Sequence, residues 1–132
     1  MKNFLSRLFA LVLVCAITLV GCTSSPAGLT GNYSEDTLAV VTSLRNAIEL
    51  PEASADKVAA QADARQMINE FIARYRRDGS VSNLRSFTTM RTALNALAGH
   101  YSSYPNRPLP DNLKQRVGEE FDQVELAIKR GV

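Results

Sequence analysis

From residue 34 onward the apolar positions recur at steps of three and four, the period of a helix with one buried face, and breakers divide them into four stripes. Ser34 is placed to cap the first, with Glu35 and Asp36 favourable in its first turn, and Leu38, Val41, Leu44 and Ile48 follow before Pro51 ends it. The second stripe, from about Ser54 to Arg77, carries Ala60, Ala64, Met67, Phe71 and Tyr75, with Ile68 and Ile72 beside them, and stops at Asp78-Gly79-Ser80. The third is the most regular. Behind a capping Ser86, the residues Phe87, Met90, Leu94, Leu97, Tyr101 and Tyr104 alternate the two steps without a miss as far as Pro105. Pro110 suits the first position of the fourth helix, Asp111 complements its dipole, and Leu113, Val117, Phe121, Val124 and Ile128 form its stripe to the end of the chain.

Helices of about fifteen to twenty residues are roughly 25 to 30 Å long. Four of them, each apolar on one face and joined by short loops, predict an all-α domain, an up-down-up-down four-helix bundle over residues 33–132. No period-two alternation is long enough to make a sheet. Such a core relies on packing alone, so cutting back Phe71, Phe87, Leu97 or Phe121 is expected to cost about 2 to 5 kcal/mol.

The residues ahead of the bundle have a different pattern. Lys2 and Arg7 precede an apolar run, Leu8 to Val20, which has the length of a signal-peptide core and is too short to span a bilayer. The run closes on Leu19-Val20-Gly21-Cys22, which resembles the bacterial lipobox. That likeness implies removal of residues 1–21, a diacylglyceryl thioether on the Cys22 sulfur and palmitoylation of the new amino terminus. The other roles of a lone cysteine fit less well. Cys15, the second of the two cysteines, lies in the part to be removed, and one cysteine with the single histidine does not complete a zinc site. Two or more acyl chains anchor a protein stably, so the expectation is a protein held on the membrane without crossing it. Thr23 to Asn32, rich in Ser, Thr, Gly and Pro, then reads as a flexible tether that completes a linker segment over residues 22–32. Ten residues reach at most roughly 33 to 36 Å, which confines the bundle near the bilayer and raises the effective concentration of a membrane partner.

Charge narrows the partners. The chain of 132 residues carries 15 basic and 13 acidic side chains, and without Lys2 and Arg7 the two signs balance. A neutral domain gives no support to nucleic-acid binding, which needs a surplus of Lys and Arg.

Candidate chemistry is sparse. His100, the one histidine, sits beside the seam residue Tyr101 and reads as a half-buried side chain with a backbone partner. Glu119, Glu120, Asp122 and Glu125 read as a solvated face, and no Ser or Cys lies in a motif that would activate it, so neither a metal site nor an enzyme is expected. An exported haem bundle for electron transfer is the alternative, with His100, Met67 and Met90 as the available ligand types, but the C-x-x-C-H attachment motif is absent. Arg74, Arg76 and Arg77 complement the dipole at the end of the second helix. The stretch Gly99 to Pro110 stands out. Gly99 costs roughly 1 kcal/mol relative to Ala in a helix and implies a need for space, and the stretch then offers Tyr, Asn and Arg on a connector stiffened by Pro105, Pro108 and Pro110.

Phe87 to Pro110, with GNYSEDT at 31–37 and ADARQMINEFIARYRR at 62–77, closely resembles the Psb27 family of photosystem II assembly lipoproteins, in its lipid-anchored cyanobacterial branch. The likeness runs from about Leu29 to Arg130. It implies a four-helix bundle without catalysis, cofactor or metal, monomeric when free and held on the lumenal side of the thylakoid membrane. It also implies binding to assembly and repair intermediates of photosystem II through the lumenal loop of the smaller core-antenna chlorophyll protein, before the manganese cluster matures and the extrinsic subunits dock. The contact candidates are Tyr101, Tyr104, Pro105, Asn106 and Arg107, with Arg91 and Arg65 as further polar ones.

Overall fold

The computed structural model describes residues 27–105 and 107–132, together with Asn3. The rest of the signal segment, Cys22 and Asn106 therefore lie outside the described residues. Four helices follow one another, α1 (Tyr33–Glu49), α2 (Lys57–Tyr75), α3 (Arg85–Ser103) and α4 (Asp111–Arg130), and no strand occurs among the described residues. Each packs on its two neighbours in a ring, most closely within the hairpins α1–α2 and α3–α4, as the up-down-up-down expectation requires. Phe71, Phe87 and Phe121 are fully buried at its centre with Leu44, Met90, Leu94 and Leu97. Arg45 fastens α1 to α4 by lying 2.6 Å from Asp122 and over the ring of Phe121.

The stripes hold with two corrections. Leu38 is 40% exposed, and α1 instead buries Thr37, Val40, Val41, Leu44, Ala47 and Ile48. Leu38 lies six residues before Leu44, about 120° away around the helix, whereas Val40 is only about 40° away. The seam of α3 ends at Tyr101. Tyr104 is one residue past the helix, with φ −131°, and is 54% exposed.

Helix starts differ more, because the caps are supplied in several ways. The Asn32 side chain caps α1 by accepting from the Glu35 N–H at 3.2 Å, and Ser34 lies inside the helix. A turn over Pro51 to Lys57, with the Lys57 N–H donating to the Ser54 carbonyl, delays α2 past Ser54. Ser86 does not cap α3 but is fully buried in its first turn, where its hydroxyl lies 2.9 Å from the Tyr33 phenol and its N–H donates to the Val132 main-chain oxygen at 3.3 Å. Pro110 sits just before α4 instead of at its first position. Gly131, at φ 72°, ends α4 in the left-handed conformation that turns the Val132 N–H back onto the Ala127 carbonyl.

The expected tether is not free along its whole length. Leu29 is buried in the core, the Ala27 N–H donates to Glu70, and Thr30 and Gly31 are bonded to α1, so its last residues belong to the bundle. No helix among the described residues is long and apolar enough to cross a membrane.

Candidate functional site

Two polar constructions hold the ends of the bundle. At the end where α1 begins, Asp36 is only 1% exposed and its carboxylate takes four donors. The Thr30 N–H and hydroxyl reach one oxygen at 2.7 and 2.8 Å, and the Gly31 N–H and the Tyr75 phenol reach the other at 3.0 and 2.5 Å. Burial pushes the Asp36 pKa up, but the bonds from Tyr75, Thr30 and Gly31 favour the charged form and together bring it below the ordinary value. The Tyr75 phenol is pushed well above the usual range, first by burial and then by the adjacent Asp36 charge. This latch ties the incoming chain to α1 and α2. Gly31, at φ 92°, supplies the turn that points its N–H inward.

At the opposite end Lys57 is buried beneath the α1–α2 loop. Its ammonium donates to the Leu50 carbonyl at 2.9 Å and lies 3.1 Å from Glu52, closing the C-terminus of α1 with the charge that its dipole favours. The α3–α4 connector lies at the same end, where the Glu52 charge reaches Tyr101 and, after burial, is the second cause that raises its pKa.

That connector is the candidate docking site. The Tyr104 N–H donates to the His100 carbonyl at 2.8 Å, and the Arg107 N–H donates to the Tyr104 carbonyl at 3.2 Å. His100 packs its ring 5.5 Å from that of Tyr104, and its Nε2 lies 3.3 Å from the Arg107 carbonyl. This is the half-buried histidine with a backbone partner that the sequence predicts. Leu109 is buried and pins the far side, so Tyr104, Pro105 and Arg107 are exposed on a backbone held at several points. Side chains that are already ordered lose less entropy on binding.

The other candidates do not gather there. Tyr101 is 3% exposed and supports the connector from beneath, so it offers no surface to a partner. Arg91 is exposed but stands twelve residues before Ser103, about 18 Å along α3. Arg65 is exposed on α2, on the neighbouring helix. Gly99 has no neighbour within 4 Å of an added methyl among the described residues, so no packing among them demands glycine there. The haem alternative meets a geometric obstacle, since Met90 is buried ten residues from His100, about 15 Å along one helix, and the two cannot ligate one iron. Met67 lines a different surface, the groove between α1 and α2.

Sequence reasoning placed Asp36 only as a favourable first-turn charge, without its burial, and did not single out Lys57. Both carried a signal, because Asp36 is four residues before Val40 and Lys57 seven before Ala64, so each is a charge written onto a buried stripe.

Bundle, buried latch and pre-set exposed connector define a class, a small four-helix bundle with an exposed connector held at one end. Comparison with known proteins gives the particular family. The model of the family described as Photosystem II Pbs27 matches residues 6–128, and the chain belongs to that family. It is 58% identical to the photosystem II assembly factor lipoprotein Psb27 of Thermosynechococcus vestitus, over 98% of this chain and 97% of that one. The photosystem II lipoprotein Psb27 of Synechocystis is 55% identical, over 100% and 98%. The solution structure of Psb27 from cyanobacterial photosystem II superposes with a TM-score of 0.77 at 54% identity, covering 85% of this chain and 97% of that one. The family is one of assembly factors and not of enzymes.

Proposed function

We propose that this chain is a lipid-anchored assembly and repair factor that occupies the lumenal side of immature photosystem II. The observation that carries this reading is the 58% identity, over nearly the whole of both chains, to a protein named as a photosystem II assembly factor lipoprotein. Cys22 bears the acyl chains, and the protein is held at the thylakoid membrane by them. The client surface is the lumenal loop of the smaller core-antenna chlorophyll protein, met before the manganese cluster matures and before the extrinsic subunits dock.

The exposed connector supports a docking role. Tyr104, Pro105 and Arg107 present an aromatic ring and a guanidinium, the types that anchor interfaces, and Asn106 lies between them in sequence. Nothing in such a role requires chemistry by the bundle; occupying the surface is enough. The anchor makes modest affinity sufficient, which suits a factor that must leave the finished complex.

The test combines Tyr104→Ala with Arg107→Glu in the tagged, lipidated protein. Recovery of the core-antenna chlorophyll protein from detergent-solubilised thylakoids is expected to fall at least about tenfold, the size of effect that losing one interface anchor produces. Undiminished recovery would remove the connector from the interface. Mass measurement of the mature protein checks the anchor separately, with acyl chains expected on a peptide beginning at Cys22.

A further inference from the structure

The balanced charge of the mature chain hides an uneven distribution. Because the helices run up and down, the C-terminus of α2, the N-terminus of α3 and the C-terminus of α4 meet at one end, where the Ser86 N–H bonds the Val132 main-chain oxygen. Arg74, Arg76, Arg77, Arg85, Lys129 and Arg130 are all exposed at that end. None of the six forms an ion pair with a described residue. Against them stand Glu35, Asp78 and the buried Asp36, whose charge is spent on its four donors. The side chains of that end therefore sum to +3, and those of the remaining seven basic and ten acidic residues from Cys22 onward sum to −3.

Apolar side chains are set among those cations. Arg85, Arg130, Leu126 and Val132 line one hollow between α3 and α4, and Leu126 and Val132 are 48% and 45% exposed. Cations interleaved with exposed apolar groups match the boundary between anionic headgroups and acyl chains, which rewards both. The covalent connection agrees with this. Ala27 is bonded to Glu70, five residues or about 8 Å of helix axis above Tyr75, while the five steps from Ala27 to Cys22 span up to roughly 17 Å.

We propose that the basic end of the bundle lies on an anionic lipid surface, so that the domain stands upright with the α3–α4 connector about 30 Å above the bilayer, the length of a helix. The inference rests on the proposed function only in taking the membrane to be the one that holds Cys22. Salt bridges to an acidic protein are the competing use of these cations. Membrane contact is favoured because the cations come from three elements around exposed apolar side chains and the tether is short.

The test removes the anchor so that only the surface is read. The chain from residue 22 onward contains every residue of the bundle, and it is made with Cys22→Ser and sedimented with vesicles of phosphatidylcholine alone or mixed equally with phosphatidylglycerol. Binding is expected to the anionic vesicles only and to weaken as salt rises. Each cation at such a surface is worth about fivefold in partitioning. Arg85→Gln, Lys129→Gln and Arg130→Gln together should therefore weaken binding about a hundredfold, and Arg76→Gln with Arg77→Gln about twenty-five-fold. The matched change Arg65→Gln, Lys114→Gln, Arg116→Gln, each at least about 15 Å of helix axis from that end, should leave it within about twofold. Circular dichroism melts establish that each variant is folded, and the two basic-end sets serve as independent checks. Absence of binding to anionic vesicles, equal binding to both kinds, or equal loss in the matched variant would overturn the proposal. So would vesicle-inert protein whose basic-end variants nevertheless lose photosystem II from thylakoid extracts, an outcome that assigns the cations to an acidic protein surface. Because the probe carries no acyl group, none of these results depends on whether Cys22 is lipidated.

Discussion

Asp36 shows how one residue can hold a chain segment in place. Its charged form is what the latch stabilises, and its pKa in the folded protein is below the ordinary value, so its contribution is fully present above about pH 4 and lost as the pH falls through the folded value. Tyr75 has the opposite sign. Its raised pKa means that stability is present below about pH 10 and lost as the phenol ionises beside the Asp36 charge. Urea midpoints measured against pH should be level between these limits and fall at both. Asp36→Asn should flatten the acid fall, and an unchanged acid limb in that variant would show that another carboxylate is responsible. Tyr75→Phe, which leaves the ring and removes one of four donors to a buried charge, should cost about 1 to 3 kcal/mol and speed hydrogen exchange at Thr30 and Gly31.

At the scale of elements, the helices were legible and their beginnings were not. Periodicity marks a helix through the sum of many side chains, so α3 could be read from Phe87 to Tyr101 with nothing but spacing. Caps depend on single bonds, and three of the four helices have no side-chain cap, so Ser54, Ser86 and Pro110 each resembled a start that other groups provide. Leu38 was misread because a step of three can follow either edge of a stripe. The difference is measurable. Leu38→Ala should change stability by no more than about 0.5 kcal/mol, whereas Leu44→Ala, at a site with no exposure, should cost about 2 to 5 kcal/mol, both read from denaturant unfolding. The candidate site divided in the same way. Tyr104, Pro105 and Arg107 are exposed because the helix stops at Ser103, while Tyr101, three residues earlier on the seam, is in the core. Its helical position already announced that burial.

For the whole molecule, the two ends of the bundle have different work. One gathers the incoming chain, the buried latch and the cations, and the other carries the capped α1–α2 loop and the exposed connector. An up-down-up-down fold produces this division directly, since it brings alternate loops to opposite ends. Sequence alone showed balanced charge from Cys22 onward, and the uneven distribution emerged only when topology placed Arg74 to Arg85 beside Lys129 and Arg130. The family likeness was legible from long stretches such as Phe87 to Pro110, and the matching of residues 6–128 to the family bears it out.

The central claim is that the protein serves photosystem II before that complex is complete, and composition of the bound complex tests it most directly. Tagged, lipidated protein is recovered from cyanobacterial thylakoids in gentle detergent, and manganese and extrinsic subunits are measured per photosystem II core recovered. Cores depleted of both, relative to cores from the same membranes that do not carry the tagged chain, are the predicted result. Recovered cores with a full complement of manganese and extrinsic subunits would contradict it.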